Sequence, residues 1–211
     1  MKATLSDKVI KRLTLYHFIL TECINLGLEY ISSPKISELL NIDNSQVRKD
    51  VKLLDNQGKC KVGYSVRELK ESIEKKLGFK QKKDAFIMGV GNLGTALLKY
   101  DDFKDYGLNI LAMFDNDPLK TGMIINEKEV FHVSKFPELV KKMNVEIGIL
   151  TVPSKYAQDC ADFMVKSGIK YIWNFAPRVL RAPKSVKVWN ENLIGNFLQF
   201  IVNEDVRNEE K

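Results

Sequence analysis

From Ser6 to Asn25 the apolar residues Val9, Leu13, Tyr16, Ile19, Leu20 and Cys23 fall at steps of three and four. That period predicts one amphipathic helix, which Gly27 stops. Ser33-Pro34 opens a second, short helix over 35–40, and Asp43-Asn44-Ser45 supplies caps for a third over 46–54. Residues 57–64, bordered by glycines, read as a short hairpin, and Val66, Leu69, Ile73 and Leu77 mark a further amphipathic helix. Beyond a polar junction at 78–83 the pattern changes. Apolar strand runs at 84–88, 108–114, 130–133, 146–152 and 170–173 alternate with helical patterns at 95–100, 134–143 and 154–167. Strands alternating with helices predict a parallel sheet. A last amphipathic helix, 190–206, carries Leu193, Ile194, Phe197, Leu198 and Ile201.

Charge divides at the same junction. Residues 1–83 hold 17 basic and 10 acidic side chains, net +7, against 16 and 17, net −1, for residues 84–211. A basic module joined to a near-neutral one suits a polyanion binder attached to something else. On charge alone, a lysine-rich solvated surface explains the split equally well. No apolar run approaches the ~18 residues of a membrane span, and the first residues lack an apolar leader core, so a cytoplasmic protein with no membrane partner is expected. Cys23, Cys60 and Cys160 lie far apart and the chain has only His17 and His132, so neither a metal site nor a disulfide framework is expected.

A short helix, a tight turn and a third helix make a helix-turn-helix. On the third helix Val47, Val51 and Leu54 form the apolar stripe, and Ser45, Arg48, Lys49 and Lys52 gather on the opposite face. Hydroxyl and basic side chains there reach bases and phosphates when such a helix lies in a major groove, with Gln46 near the helix start where bases are read. The hairpin carries Lys59 and Lys61 and ends at Tyr64, whose ring is read as packing rather than stacking on bases. An N-terminal winged helix that binds double-stranded DNA is therefore expected over 1–80.

The strand 84–88 runs straight into Gly89-Val90-Gly91-Asn92-Leu93-Gly94 and then a helix, the context that a dinucleotide-binding glycine motif requires. Gly89 permits the tight turn, Gly91 lets the backbone approach a pyrophosphate, and Gly94 allows close helix–strand packing. Asp115 ends the next strand, 21 residues after Gly94, close to the ~20 expected for the acid that binds ribose hydroxyls. An acid there favours NADH and NAD+ over a 2′-phosphorylated relative. Thr151-Val152-Pro153 and Asn174-Phe175 also fall at carboxyl ends of strands, where parallel sheets bind ligands; loop punctuation is the alternative reading. The fold class is α/β: the winged helix, a Rossmann-like NAD(H)-binding parallel sheet over 81–188, and a C-terminal helix over 189–211. That helix either covers its own domain or packs on a second copy; helix-turn-helix proteins pair on palindromes, so a homodimer is expected. No proton donor stands out for a dehydrogenase, which leaves a sensor as the first reading and a small oxidoreductase as the second. A nucleotide such as coenzyme A is the alternative ligand, with Asp115 arguing for NAD.

The chain resembles the Rex family of redox-sensing transcriptional repressors over essentially its full length. The resemblance is carried by Ser45-Gln46-Val47-Arg48-Lys49-Asp50, Val62-Gly63-Tyr64, the glycine loop, Phe114-Asp115-Asn116-Asp117-Pro118, Thr151-Val152-Pro153 and Asn174-Phe175-Ala176-Pro177, in order and spacing. It implies a homodimer with a domain-swapped C-terminal helix that holds an operator of the type TTGTG…CACAA and releases it when NADH binds, NAD+ competing. By position it implies that Gln46, Arg48 and Lys49 read the operator, and that the glycine loop and Asp115 hold the adenosine diphosphate half. Tyr100, Thr151–Pro153 and Asn174-Phe175 would lie along the cofactor cleft or dimer contact.

The sequence departs from that family at three places. Lys52–Gln57 replaces an aromatic, glycine-rich stretch, and Cys60-Lys61 stands where the family commonly has Arg-Gly, so Lys59 or Lys61 is expected to replace a minor-groove arginine. An aspartate that opens the family's C-terminal helix aligns with Asn192, and its arginine partner in the first helix aligns with Phe18. Losing both charges leaves neither unpaired and predicts an altered NADH response, unless the neighbouring Glu191 replaces the aspartate.

Overall fold

The computed structural model describes residues 5–54, 58, 59 and 62–209, with side chains described through Val202. The chain divides into two compact units, 1–81 and 82–211.

In the first unit α1 (Asp7–Asn25) is followed by β1 (Tyr30–Ile31), α2 (Ser33–Leu40), α3 (Asn44–Lys52), β2 (Tyr64–Ser65) and α4 (Val66–Leu77). The apolar periods close into one core, with Leu13, Tyr16, Leu20, Ile36, Val47, Leu69 and Ile73 at 0% exposure. Local chemistry sets the helix-turn-helix angle. Asn41 ends α2 in the left-handed region (φ 51°), and the Asp43 carboxylate accepts from the Ser45 and Gln46 N–H groups to start α3. Two-residue β1, which periodicity could not signal, pairs antiparallel with β2, while Lys59 bridges to Gly63.

One buried acid ties α3 to α1. Asp50, 1% exposed, accepts from Arg12 Nε (2.6 Å) and Nη2 (2.8 Å) and from the Tyr16 hydroxyl (2.9 Å). Burial alone would raise the Asp50 carboxyl, but these donors and the Gln46 amide hold it below the usual carboxylate range. A lowered acid contributes stability above its unfolded value of about 3.9 and loses it as pH falls through the lower folded value. Melting curves of the wild type and Asp50→Asn should therefore differ most at neutral pH and converge below about pH 4. A gap that is the same at pH 7 and pH 3 would exclude this role for the charge.

The second unit is built on β3 (Lys83–Met88), α5 (Asn92–Leu98), β4 (Leu108–Asp115), β5 (Ile124–Ile125), β6 (Lys128–His132), α6 (Phe136–Met143), β7 (Ile147–Leu150), α7 (Ala157–Ser167), β8 (Tyr171–Asn174), β9 (Lys187–Asn190) and α8 (Leu193–Glu209). Sheet order is β5-β6-β4-β3-β7-β8-β9, parallel throughout except for β5. Strand order reverses beside β3, the switch point where doubly wound sheets bind nucleotides. Central β3 is buried on both sides: Phe86 and Met88 join the core under α6 and α7, while Ala85 and Ile87 join that under α5.

Several elements differ from the sequence reading, which did not contain the two-residue strand β5. A seventh strand, β9, adds to the sheet edge although little of it is buried, so no apolar run announced it. The last helix starts at Leu193 rather than 190 because Asn192 Oδ1 accepts from the Gly195 N–H at 2.9 Å. Val133, read as the end of a strand, and 134–135 and 154–156, read as helical, form 3-10 turns that lead into α6 and α7.

The β5–β6 turn holds Asn126 at φ 46° and Glu127 at φ 64°. A side chain in that region costs about 1 kcal/mol that glycine avoids. Glu127→Gly should raise unfolding free energy by up to about 0.5–1 kcal/mol, read from denaturant midpoints at an unchanged slope.

Candidate nucleotide cleft and nucleic-acid interface

A cavity of about 540 Å³ opens at the carboxyl ends of β3, β4 and β7. Gly89, Val90, Gly91, Asp115, Thr151, Val152 and Pro153 line it, as the motif spacing anticipates. Gly89 turns at φ 108°, and Thr151 Oγ1 donates to the Gly89 carbonyl at 2.8 Å, pinning the loop to β7. Gly94 lies so close beneath the loop that an added Cβ would come within 2.2 Å of the Gly89 carbonyl oxygen. Gly91 faces open space, with nothing within 4 Å of an added Cβ. Asn92 and Leu93 are exposed at the start of α5, whose leading N–H groups have no helical acceptor.

Asp115, 9% exposed, is held rather than loose. Its Oδ2 accepts from the Val90 N–H (2.8 Å) and Lys120 Nζ (3.2 Å), and its Oδ1 from the Asp117 N–H (3.0 Å). Burial would raise this carboxyl too; the two backbone donors and the Lys120 ammonium bring it below the usual range. A carboxylate has about four acceptor sites, and three are used, so one remains on Oδ1. Lys120, Tyr156 of the 3-10 turn before α7 and the α7 residues Asp159, Cys160 and Phe163 also line the wall. Sequence reasoning missed them because helix side chains and a loop lysine carry no motif. Burial raises the Cys160 thiol, aided by Asp159 and Asp115, so the thiol is a neutral wall residue.

Three predicted residues lie elsewhere. Asn174 is fully buried, its amide donating to the Ala176 and Arg178 carbonyls and to Asn190 Oδ1, and its oxygen accepting from the Ala176 N–H. It therefore ties the loop after β8 to β9 and is not part of the cavity wall. Tyr100 and Phe175 are the ends of an aromatic row, Tyr100–Phe103–Trp173–Phe175, with centroid separations of 4.9, 5.7 and 4.7 Å. Glu191 accepts from Trp173 Nε1 (2.7 Å) and Trp189 Nε1 (3.0 Å), so it is already engaged where a substitute for the family's aspartate was considered.

On the first unit Ser45, Arg48, Lys49 and Lys52 are exposed along α3, opposite the buried Val47 and Val51. Arg48, Lys59 and Tyr64 border a groove of about 530 Å³ between α2 and the wing. Arg48 Nε donates to Ser33 Oγ (3.4 Å), and Lys59 Nζ lies 5.4 Å from the Tyr30 ring centre and 3.3 Å from its hydroxyl. Tyr30, missed in the sequence, thus shares the wing face. Tyr64 is half-buried and packs on the head core. Lys61 lies outside the described residues.

A helix-turn-helix unit carried on one chain with a doubly wound nucleotide-type sheet is the build of a ligand-responsive transcriptional regulator. Residues 80–178 match the family described as CoA binding domain, and residues 4–51 match the putative DNA-binding protein N-terminus. The redox-sensing transcriptional repressor Rex of Treponema denticola is 44% identical over 89% of this chain and 90% of its own. That of Carboxydothermus hydrogenoformans is 41% identical over 90% and 91%. The crystal structure of RSP, a Rex-family repressor, in complex with β-NAD+ and operator DNA matches at TM-score 0.86 and 35% identity, covering 99% of this chain and 95% of that one. The RSP complex with β-NADH matches at TM-score 0.87 and 33% identity, covering 99% and 100%. The chain belongs to the Rex family of redox-sensing transcriptional repressors. No helix among the described residues is long and apolar enough to cross a membrane.

Proposed function

We propose that this chain is a cytoplasmic repressor that binds a palindromic operator as a homodimer and leaves it when NADH fills the cleft at the switch point, with NAD+ as competitor. The observation that carries the reading is the cleft itself, about 540 Å³ with the glycine loop on one side and the pinned Asp115 on the other, on the same chain as the α3 face. One open acceptor on Asp115 suits a ribose hydroxyl, whereas a phosphate on the ribose, as in coenzyme A, would meet a carboxylate. The second copy is supported by apolar surface that this chain does not cover. Leu193, Ile194, Phe197, Leu198 and Phe200 on α8 are each more than half exposed, and Trp189 on edge strand β9 is 44% exposed. Exposed apolar surface on that scale marks an interface.

A second reading, a repressor with a weaker redox switch, is favoured by Phe18, Asn192 and Glu191. Asn192 caps α8, so the helix start survives without the family's aspartate. Both indole N–H groups donate to Glu191 Oε1, which ties that carboxylate to the tryptophans of the sheet edge.

Fluorescence anisotropy on a labelled TTGTG…CACAA duplex at fixed salt, with no ligand, NAD+ or NADH, separates the readings; salt is fixed because phosphate contacts make affinity steeply salt-dependent. Tight binding released by NADH alone establishes the sensor. Binding indifferent to both leaves the repressor and removes the switch.

A further inference from the structure

The sequence puts Gln46 where a recognition helix reads bases, and the structure shows how its amide is held. Gln46 Nε2 donates to Asp50 Oδ1 at 2.9 Å, one turn further along α3. Asp50 accepts only, being an ionised carboxylate that also receives the Arg12 fork and the Tyr16 hydroxyl. The end of Gln46 that faces Asp50 must therefore be its NH2 group, and a flipped amide would place two acceptors in contact. Two groups remain on the half-buried amide: the Oε1 acceptor and one N–H. This acceptor–donor couple matches the N6 amine and N7 of adenine in the major groove. Guanine presents two acceptors, O6 and N7, and would meet the Oε1 oxygen with one of them. A free glutamine could turn both N–H groups to guanine; this one cannot without breaking its bond to Asp50.

We propose that Asp50 is a positioning residue that fixes the orientation of the Gln46 amide and so makes the recognition helix select adenine over guanine at one position of each half-site. Asp50 itself is buried and touches no base. Its own position is set from the first helix, because Arg12 and Tyr16 hold both of its oxygens. The preference is thus built into the fold of the head before DNA arrives. The proposal rests on the reading of α3 as a DNA-binding helix.

The test is selection of bound sequences from randomised duplexes by the full-length protein at fixed salt, repeated with Gln46→Ala and Asp50→Asn. The wild type should enrich one adenine per half-site, and guanine there should weaken binding by tenfold or more. Replacing that adenine by 7-deazaadenine, which lacks N7, or by purine, which lacks the amine, should each weaken wild-type binding several-fold; this arm needs no variant to fold. Gln46→Ala should lose the preference. Asp50→Asn, which supplies an amide that can face either end of Gln46, should bring the adenine-to-guanine ratio toward one while the other positions keep theirs. An Asp50→Asn protein that binds every duplex more weakly by one common factor would show a merely structural acid and overturn the proposal. So would a wild type indifferent to 7-deazaadenine and purine at every adenine. Failure of the wild type to enrich any sequence would instead overturn the DNA reading beneath it.

Discussion

Gly94→Ala should lower the melting temperature of the sheet unit by about 10 °C, whereas Gly91→Ala should leave it unchanged and weaken NADH binding by at least about tenfold. The contrast follows from what each new Cβ meets. At Gly94 it would come 2.2 Å from the Gly89 carbonyl oxygen and 2.7 Å from Thr151 Oγ1. The first is backbone of the loop that turns β3 into α5, and the second, at the end of β7, is hydrogen-bonded to that same carbonyl, so the helix must move off the sheet. Overpacking of this kind costs about 3 kcal/mol when backbone rather than a flexible side-chain end is in the way. At Gly91 the methyl enters open space at the mouth of the cleft. A pyrophosphate that approaches the backbone there would meet that methyl, and a tenfold loss is about 1.4 kcal/mol. Circular dichroism melts read the first effect and titration calorimetry with NADH the second. A Gly91→Ala protein that binds NADH like the wild type would place the pyrophosphate elsewhere.

Asp115→Ala should reduce NADH affinity by roughly 10- to 100-fold, the worth of one hydrogen bond to a charged group, and should move the preference toward NADPH. In the wild type Lys120 is neutralised by Asp115 at 3.2 Å. Without the carboxylate the ammonium remains beside the ribose position, where it attracts a 2′-phosphate that the carboxylate had repelled. Affinities of both dinucleotides for both proteins, measured at one ionic strength, give the ratio directly. An unchanged NADPH-to-NADH ratio would separate Lys120 from the ribose site. An unchanged NADH affinity would favour another ligand altogether.

Much of this architecture is legible in the order of residues because it rests on local physics. The helical period of α1, the Asp43 cap of α3 and the strand–glycine–helix run at 84–98 are each decided within a few residues. So was the face of α3 that carries Arg48, Lys49 and Lys52, since a helix with Val47 and Val51 buried has only one side left for them. Seven of the thirteen residues expected at the cofactor line the cleft, all from the ends of β3, β4 and β7, where motif spacing and strand direction agree.

Contacts between residues distant along the chain were not legible, because only the fold sets them. Nothing in the strand run 170–173 distinguishes an Asn174 that points at ligand from one that closes a loop. Its partner Asn190, sixteen residues on, reaches it only when β9 lies beside β8. Glu191 could replace a missing charge on paper, yet two tryptophans brought together by the sheet edge already use it. The sequence by itself determined the change of charge at residue 83 and the spacing of the glycine loop and of the α3 face. Only the tertiary structure decided that Lys120 neutralises Asp115 and that Arg12 and Tyr16, over thirty residues from Asp50, hold the acid that orients Gln46. Hydrogen bonds between buried polar groups depend on distance in space to within tenths of an ångström, and periodicity along a chain carries no such measure.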